Sequence, residues 1–196
     1  PEDQIRFIAN IERILSEGSF VATYKYALLV ALVELAIGRG DDSNGQLALP
    51  IHDIADKFAE LYWRQSAPYE ADGGSGAGLV LHQNQGKQAS AISQLARLRN
   101  DLKGSRSTLA EARRTPDWKR LVGQMRSLLR KMPMGKLQRV GHEDIRFLYE
   151  QPGRGARCIK LLPGVACHLR ERAPLIRRLA ETEWLRFVLS LKQNQP

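Results

Sequence analysis

Apolar residues recur along the chain with a helical period over most of its length. Residues 4–16 place Ile5, Ile8, Ile11 and Leu15 on one stripe, which predicts a first helix ended by Gly18. Residues 24–37 follow, with Thr23 as the expected N-cap. Tyr24, Ala27, Leu28, Ala31, Leu32 and Leu35 keep the i, i+3, i+4, i+7 spacing, and Leu29, Val30 and Val33 fill the other faces. A helix apolar nearly all round is a buried one, so this segment is expected at the centre of the core. Residues 52–65 predict a third helix with Ile54, Phe58, Leu61 and Tyr62 inward, and Pro68 stops it. Residues 86–99 predict a fourth, with Ala89, Ile92, Leu95, Ala96 and Leu98 apolar.

In the second half a short helix is expected over 108–113. A longer one follows over 116–131, capped by Thr115, with Pro116 at its first position. A last helical region opens at Pro163-Gly164 and is divided by Pro174, its longer part covering 175–192. Residues 46–50, 79–81 and 157–161 read as short strands, residues 136–141 as extended or turn, and 142–149 as a strand or helical turn. Residues 38–45 and the glycine-rich stretch 71–78 read as loops. The fold class predicted is mainly α with a few short β-strands. The order helix, strand, helix, loop, strand, helix in the first half resembles a decorated winged helix.

Charge divides the chain more sharply than hydropathy does. Residues 1–100 hold 9 Lys and Arg against 12 Asp and Glu, a net of −3, whereas residues 101–196 hold 21 against 9, a net of +12. A mostly helical acidic subdomain over 1–103 and a basic helical subdomain over 104–196 are expected, forming one compact unit. A basic excess confined to one half points to a polyanionic partner, most often nucleic acid. The longest apolar stretch, 26–33, is far short of the roughly 18 residues that a membrane span needs, and no secretory signal opens the chain. The chain begins at Pro1 without a methionine, as a processed or truncated piece of a longer protein would. Cys158 and Cys167 are the only cysteines, which fits a reducing cytoplasmic location. Cys167-His168 lacks the further ligands of a zinc site, the nearest being His142 and Cys158.

The strongest local pattern lies on the helix over 116–131. At 100° per residue Lys119, Arg126 and Arg130 fall within roughly 40° of one another. Leu121, Val122, Met125, Leu128, Leu129 and Met132 fill the neighbouring arc. Lys131, Lys136 and Arg139 follow. Such a row suits phosphate oxygens. The solvated edge of an amphipathic helix looks the same. A second candidate segment, residues 82–88, contributes Gln83, Asn84, Lys87 and Gln88. Amides read base edges, but turn and capping duties explain the same residues.

Catalytic templates fail on inspection. No phosphate-binding loop, dinucleotide fingerprint or nucleophile elbow occurs. Asp101-Leu102-Lys103 and Asp117-Trp118-Lys119 match a metal-nuclease tripeptide, yet both fall in helical positions rather than on strands. His142-Glu143-Asp144 are consecutive and diverge. No complete catalytic or metal site is legible, so chemistry served by this chain is expected to be completed outside it.

Four segments resemble bacterial HNH endonuclease-type proteins: residues 22–35 with Tyr24-Lys25-Tyr26, residues 54–69 with Tyr62-Trp63-Arg64, residues 81–95, and residues 161–188 with Pro163-Gly164-Val165-Ala166 and Trp184. The resemblance spans most of residues 20–190. It implies a helical targeting domain of a DNA-cutting enzyme in defence against foreign DNA. The nuclease module would begin where this chain ends and would alone hold the divalent metal. No catalytic residue carries over to this chain, because none of that module's motif is present.

Two other readings compete. A protein–protein adaptor would use Trp63, Trp118 and Trp184 as anchors for partner subunits. A small independent enzyme would assemble a site from His52, His142, Glu143 and Cys167.

Overall fold

The computed structural model describes residues 2–17, 21–40, 43–68, 79–102 and 107–195. Mainly helical architecture with a few short strands is what these residues form. The helices are α1 (Glu2–Ser16), α2 (Tyr24–Arg39), α3 (Ile51–Gln65), α4 (Ser90–Leu102), α5 (Leu109–Arg113), α6 (Pro116–Lys131), α7 (Val165–Glu171) and α8 (Ala173–Ser190). Strands β1 (Leu47–Pro50) and β4 (Cys158–Leu161) pair antiparallel, with Leu49 opposite Ile159. Strands β2 (Arg139–Val140) and β3 (Glu143–Asp144) form a small hairpin. Gly141 takes a φ of 56° at the first of its two turn positions, a conformation that glycine adopts without strain.

Helix α2 is the centre of the core. Every residue from Tyr24 to Val33 is buried, as its all-round apolar character requires. It packs against α3, α7 and α8, while α3 also packs against α4 and α6. One apolar cluster therefore takes in residues from both halves of the sequence. The winged-helix arrangement expected for the first half is not formed among the described residues. Strand β1 finds its partner in β4 of the basic half rather than in a neighbouring hairpin. Residues 79–81 form no ladder with β1 or β4, and the loop after them instead touches the chain before α2 through an Ala22–Asn84 bridge. The glycine-rich stretch 71–78 lies outside the described residues.

Several local expectations need correcting. Helix α1 turns Phe7, Ile11, Ile14 and Leu15 inward and leaves Ile5 72% exposed, so its buried stripe is rotated from the one expected. Helix α4 starts at Ser90 rather than at Gly86, because residues 83–88 are held in a loop by side-chain amides. Thr23 holds the N-cap position of α2, but its side chain makes no capping bond. Its hydroxyl lies 2.5 Å from the Tyr62 hydroxyl inside the core, where a buried hydroxyl needs a partner. Thr115 and Pro116 do open α6, with the Thr115 hydroxyl accepting from the Trp118 amide at 3.2 Å. Thr108 and Glu111 add a reciprocal capping box at α5. Among the described residues no helix is long and apolar enough to cross a membrane.

Candidate functional site

A cleft of about 310 Å³ opens where the N-terminus of α2 meets the chain that follows α6. Val21, Ala22, Met132 and Pro133 make its apolar wall; Lys25, Lys136 and Arg139 bring three cations to it, with His142 at the hairpin turn. None of the lining residues is acidic.

The cations are held there by their neighbours. Lys136 follows a turn of 3-10 helix over Pro133–Gly135, and its amide donates to the Pro133 carbonyl at 3.0 Å. Between Lys136 and Arg139, Leu137 and Gln138 point inward and are buried. The Gln138 carboxamide accepts from the Leu148 amide at 2.7 Å and the Tyr149 amide at 3.2 Å, and donates to the Tyr149 carbonyl at 3.0 Å. The Tyr149 hydroxyl donates to the Met134 carbonyl at 2.9 Å. With its two middle residues clamped inside, the segment presents Lys136 and Arg139 at the surface.

Lys25 is the unusual member. It is the second residue of the core helix and only 8% exposed, and its ammonium donates to the Arg139 carbonyl at 3.4 Å. Burial, reinforced by the positive charges of Lys136 and Arg139, lowers its pKa to about 8. The unfolded chain keeps the ordinary lysine value near 10.4, so between the two values the unfolded state binds more protons and stability rises with pH. Below pH 8 the desolvation cost of the charge is carried in full. We therefore expect Lys25→Met to stabilise the protein at pH 7 by about 1–2 kcal/mol, an allowance made for partial screening. That gain should shrink as the pH rises from 8 towards 10. Urea unfolding at pH 7 and pH 9.5 measures both, and a variant less stable than wild type at pH 7 would refute a net desolvation cost of the Lys25 charge.

The other sequence candidates separate. Lys119, Arg126 and Arg130 share one edge of α6, but Arg130 donates to the Ala156 carbonyl at 2.8 Å and so fastens α6 to the loop before β4. Lys119 is exposed and Arg126 half-buried. In the 82–88 loop, Gln83 is fully buried and its side-chain carbonyl accepts from the Trp184 indole at 2.6 Å. Gln88 closes the loop by accepting from the Gln83 amide at 3.0 Å and donating to the Leu81 carbonyl at 3.1 Å. Asn84 donates to the Lys87 carbonyl at 3.0 Å. Gln83, Asn84 and Gln88 thus each carry a structural bond in this loop, and for the fully buried Gln83 leaving it would strand a polar group. Lys87 is the most exposed of the four.

The tryptophan anchors of the adaptor reading are likewise inside: Trp63, Trp118 and Trp184 are each 7% exposed or less. The residues of the independent-enzyme reading stand on different elements. His52 is on α3, His142 and Glu143 on the β2–β3 hairpin with Glu143 3.8 Å from Arg13, and Cys167 on α7. Cys167 bonds to Glu171, whose carboxylate raises the thiol pKa. Among the described residues no three His, Cys, Asp or Glu converge as metal ligands.

Sequence reasoning ranks Lys25, with Thr23, only among the weaker candidates for nucleic-acid contact, because the helix they open is expected to be buried. The signal available was a lysine inside an otherwise apolar run, which has to reach either a partner or an opening.

Fold and cleft together define a mainly α domain with a cationic cleft at the end of its central helix. Residues 4–196 match the model of a family described as a domain of unknown function (DUF8808), and the chain belongs to that family. No curated protein matches the chain. No solved structure matches it either.

Proposed function

We propose that this domain binds nucleic acid, DNA in the first instance, by its phosphate backbone and positions it for an HNH-type nuclease module that lies outside these residues, in defence against foreign DNA. The observation that carries the binding is the convergence of Lys25, Lys136 and Arg139 on one cleft with no acidic lining residue. Phosphate contacts of this kind supply most of the sequence-independent affinity of such proteins. The net +12 of residues 101–196 extends the field beyond the cleft, and exposed Lys119 with half-buried Arg126 offers further contacts along α6. The nuclease and defence parts rest on the resemblance carried by Tyr24-Lys25-Tyr26 and Tyr62-Trp63-Arg64. Two free thiols suit a cytoplasmic setting. An adaptor function retains less support, since its three anchors are core residues.

Binding of a labelled duplex of about 30 base pairs across a salt series tests this reading, because log affinity falls by roughly 0.9 per phosphate contact per decade of salt. Lys136→Glu/Arg139→Glu should weaken low-salt binding on the order of a hundredfold and flatten the slope by about 2. Arg126→Glu should have a smaller effect in the same direction. An affinity for the duplex that is undetectable at low salt, or identical in the double variant, would overturn the proposal.

A further inference from the structure

The chain entering β4 makes a tight turn that carries one long side chain. The Ala156 amide donates to the Gly153 carbonyl at 3.0 Å, and Gly155 takes a φ of 84° while Arg154 keeps a negative one. These are the marks of a type II turn, whose third position needs a positive φ and so favours glycine. Arg154 holds the second position, exposed, with a glycine on either side. Both feet of the turn are fastened. Arg130 of α6 donates to the Ala156 carbonyl at 2.8 Å, and the Arg157 carbonyl accepts from the Ile51 amide at 2.9 Å where the β1–β4 ladder begins. At the other foot the Gln151 amide lies against Gly135, where a β-carbon would stand 3.3 Å from it. Arg130 thus borders the turn at its exit, and Gly135, the neighbour of Lys136, borders it at its entry. Arg154 is raised between the basic edge of α6 and the exposed cations Lys136 and Arg139. Among the described residues it makes no ion pair, so no carboxylate holds its guanidinium to the surface.

We infer that this turn is a minor-groove probe, in which Arg154 enters the minor groove of A·T-rich duplex DNA while the cations on either side of it hold the phosphates. The inference rests on the duplex-binding proposal and adds a sequence preference to it. A side chain raised between two groups of phosphate-binding cations is placed to enter the groove that the phosphates border. The major groove, about 12 Å wide, takes a helix or a two-stranded ribbon, whereas the minor groove, about 6 Å wide, suits a single extended side chain. A guanidinium only donates hydrogen bonds. In the minor groove A·T pairs present only acceptors, and G·C pairs add the donating amino group of guanine. A·T tracts also narrow the groove and strengthen its negative potential, which attracts arginine.

The test titrates the full chain with three duplexes of equal length at one salt concentration. One has a central A·T tract, one is G·C throughout that tract, and the third is the G·C duplex with inosine in place of guanine. Inosine removes the minor-groove amino group and leaves the major-groove pattern of guanine unchanged. The expected result is about fivefold tighter binding of the A·T duplex than of the G·C duplex, with the inosine duplex close to the A·T one. Arg154→Ala should erase the preference, chiefly by weakening A·T binding. Arg154→Lys should keep the salt slope but lose most of the preference, because an ammonium is more strongly hydrated than a guanidinium. Both variants alter an exposed turn tip and should unfold at the urea midpoint of wild type. Equal affinity for the A·T and G·C duplexes, or an inosine duplex that behaves like the G·C one, would overturn the inference and leave phosphate-backbone binding standing. So would uniform weakening of all three duplexes by Arg154→Ala, which is the signature of a phosphate contact. Absence of binding to every duplex at low salt would overturn this inference and the proposal it rests on together.

Discussion

Trp184→Ala is expected to lower the unfolding free energy by about 4 kcal/mol, within the range of about 3–5 kcal/mol for deleting a buried Trp or Phe side chain. Trp184 stands on α8 with its ring 5.2 Å from that of Tyr62 on α3, and it is 7% exposed. Its indole N–H donates to Gln83 at 2.6 Å. The Gln83 carbonyl in turn accepts from the Thr23 amide at 3.1 Å, and the Thr23 hydroxyl meets Tyr62. Four residues thus close a ring of contacts that includes Thr23, which lies in the chain between Ala22 and Tyr24 of the cleft lining. Alanine would leave a cavity and strand a fully buried Gln83 amide, and these two losses add. Trp184→Phe keeps most of the volume and loses only the donor, so its cost should be about 1–2 kcal/mol. Urea denaturation followed by circular dichroism measures both. A loss below about 1 kcal/mol for the alanine variant would show that the ring is not a packing centre.

The second large effect concerns Arg99, which is 4% exposed on α4. Its guanidinium donates to the Trp63 carbonyl at 2.6 Å, to the Ser107 carbonyl at 3.2 Å and to the Ser66 hydroxyl at 3.5 Å. It also stacks 4.1 Å over the Trp63 ring. One side chain therefore ties the end of α3 to α4 and to the chain entering α5. These acceptors lie where water does not replace a missing donor, so Arg99→Met should cost about 3 kcal/mol. Lysine keeps the charge but not the planar fork that reaches several acceptors, and Arg99→Lys should recover less than half of the loss. Thermal unfolding of the two variants beside wild type checks the order. Recovery of full stability by lysine would mean that charge, not geometry, is what the site needs.

Local chemistry in the sequence was enough for much of the helical layout. The all-round apolar face of α2, the Thr115-Pro116 start of α6 and the Pro174 break between α7 and α8 are each written in a few neighbouring residues. The segments that resemble a known family proved to be mostly interior. Tyr24, Tyr62, Trp63 and Trp184 are buried in one core, so the recurrence of their pattern reports packing as much as any surface used for binding.

What the sequence by itself determined is the mainly helical class, the buried central helix and the concentration of positive charge in the second half, because each follows from periodicity or composition within a segment. The tertiary structure decided which charges meet. Lys25 is separated from Lys136 and Arg139 by most of the chain, and no spacing rule links them. They converge because α2 is buried against α3, α7 and α8, and because Gln138 and Tyr149 fix the chain after α6 across its N-terminus. The same folding engages Gln83, Asn84 and Gln88 in structural hydrogen bonds, since a loop that leaves backbone groups inside a protein must satisfy them.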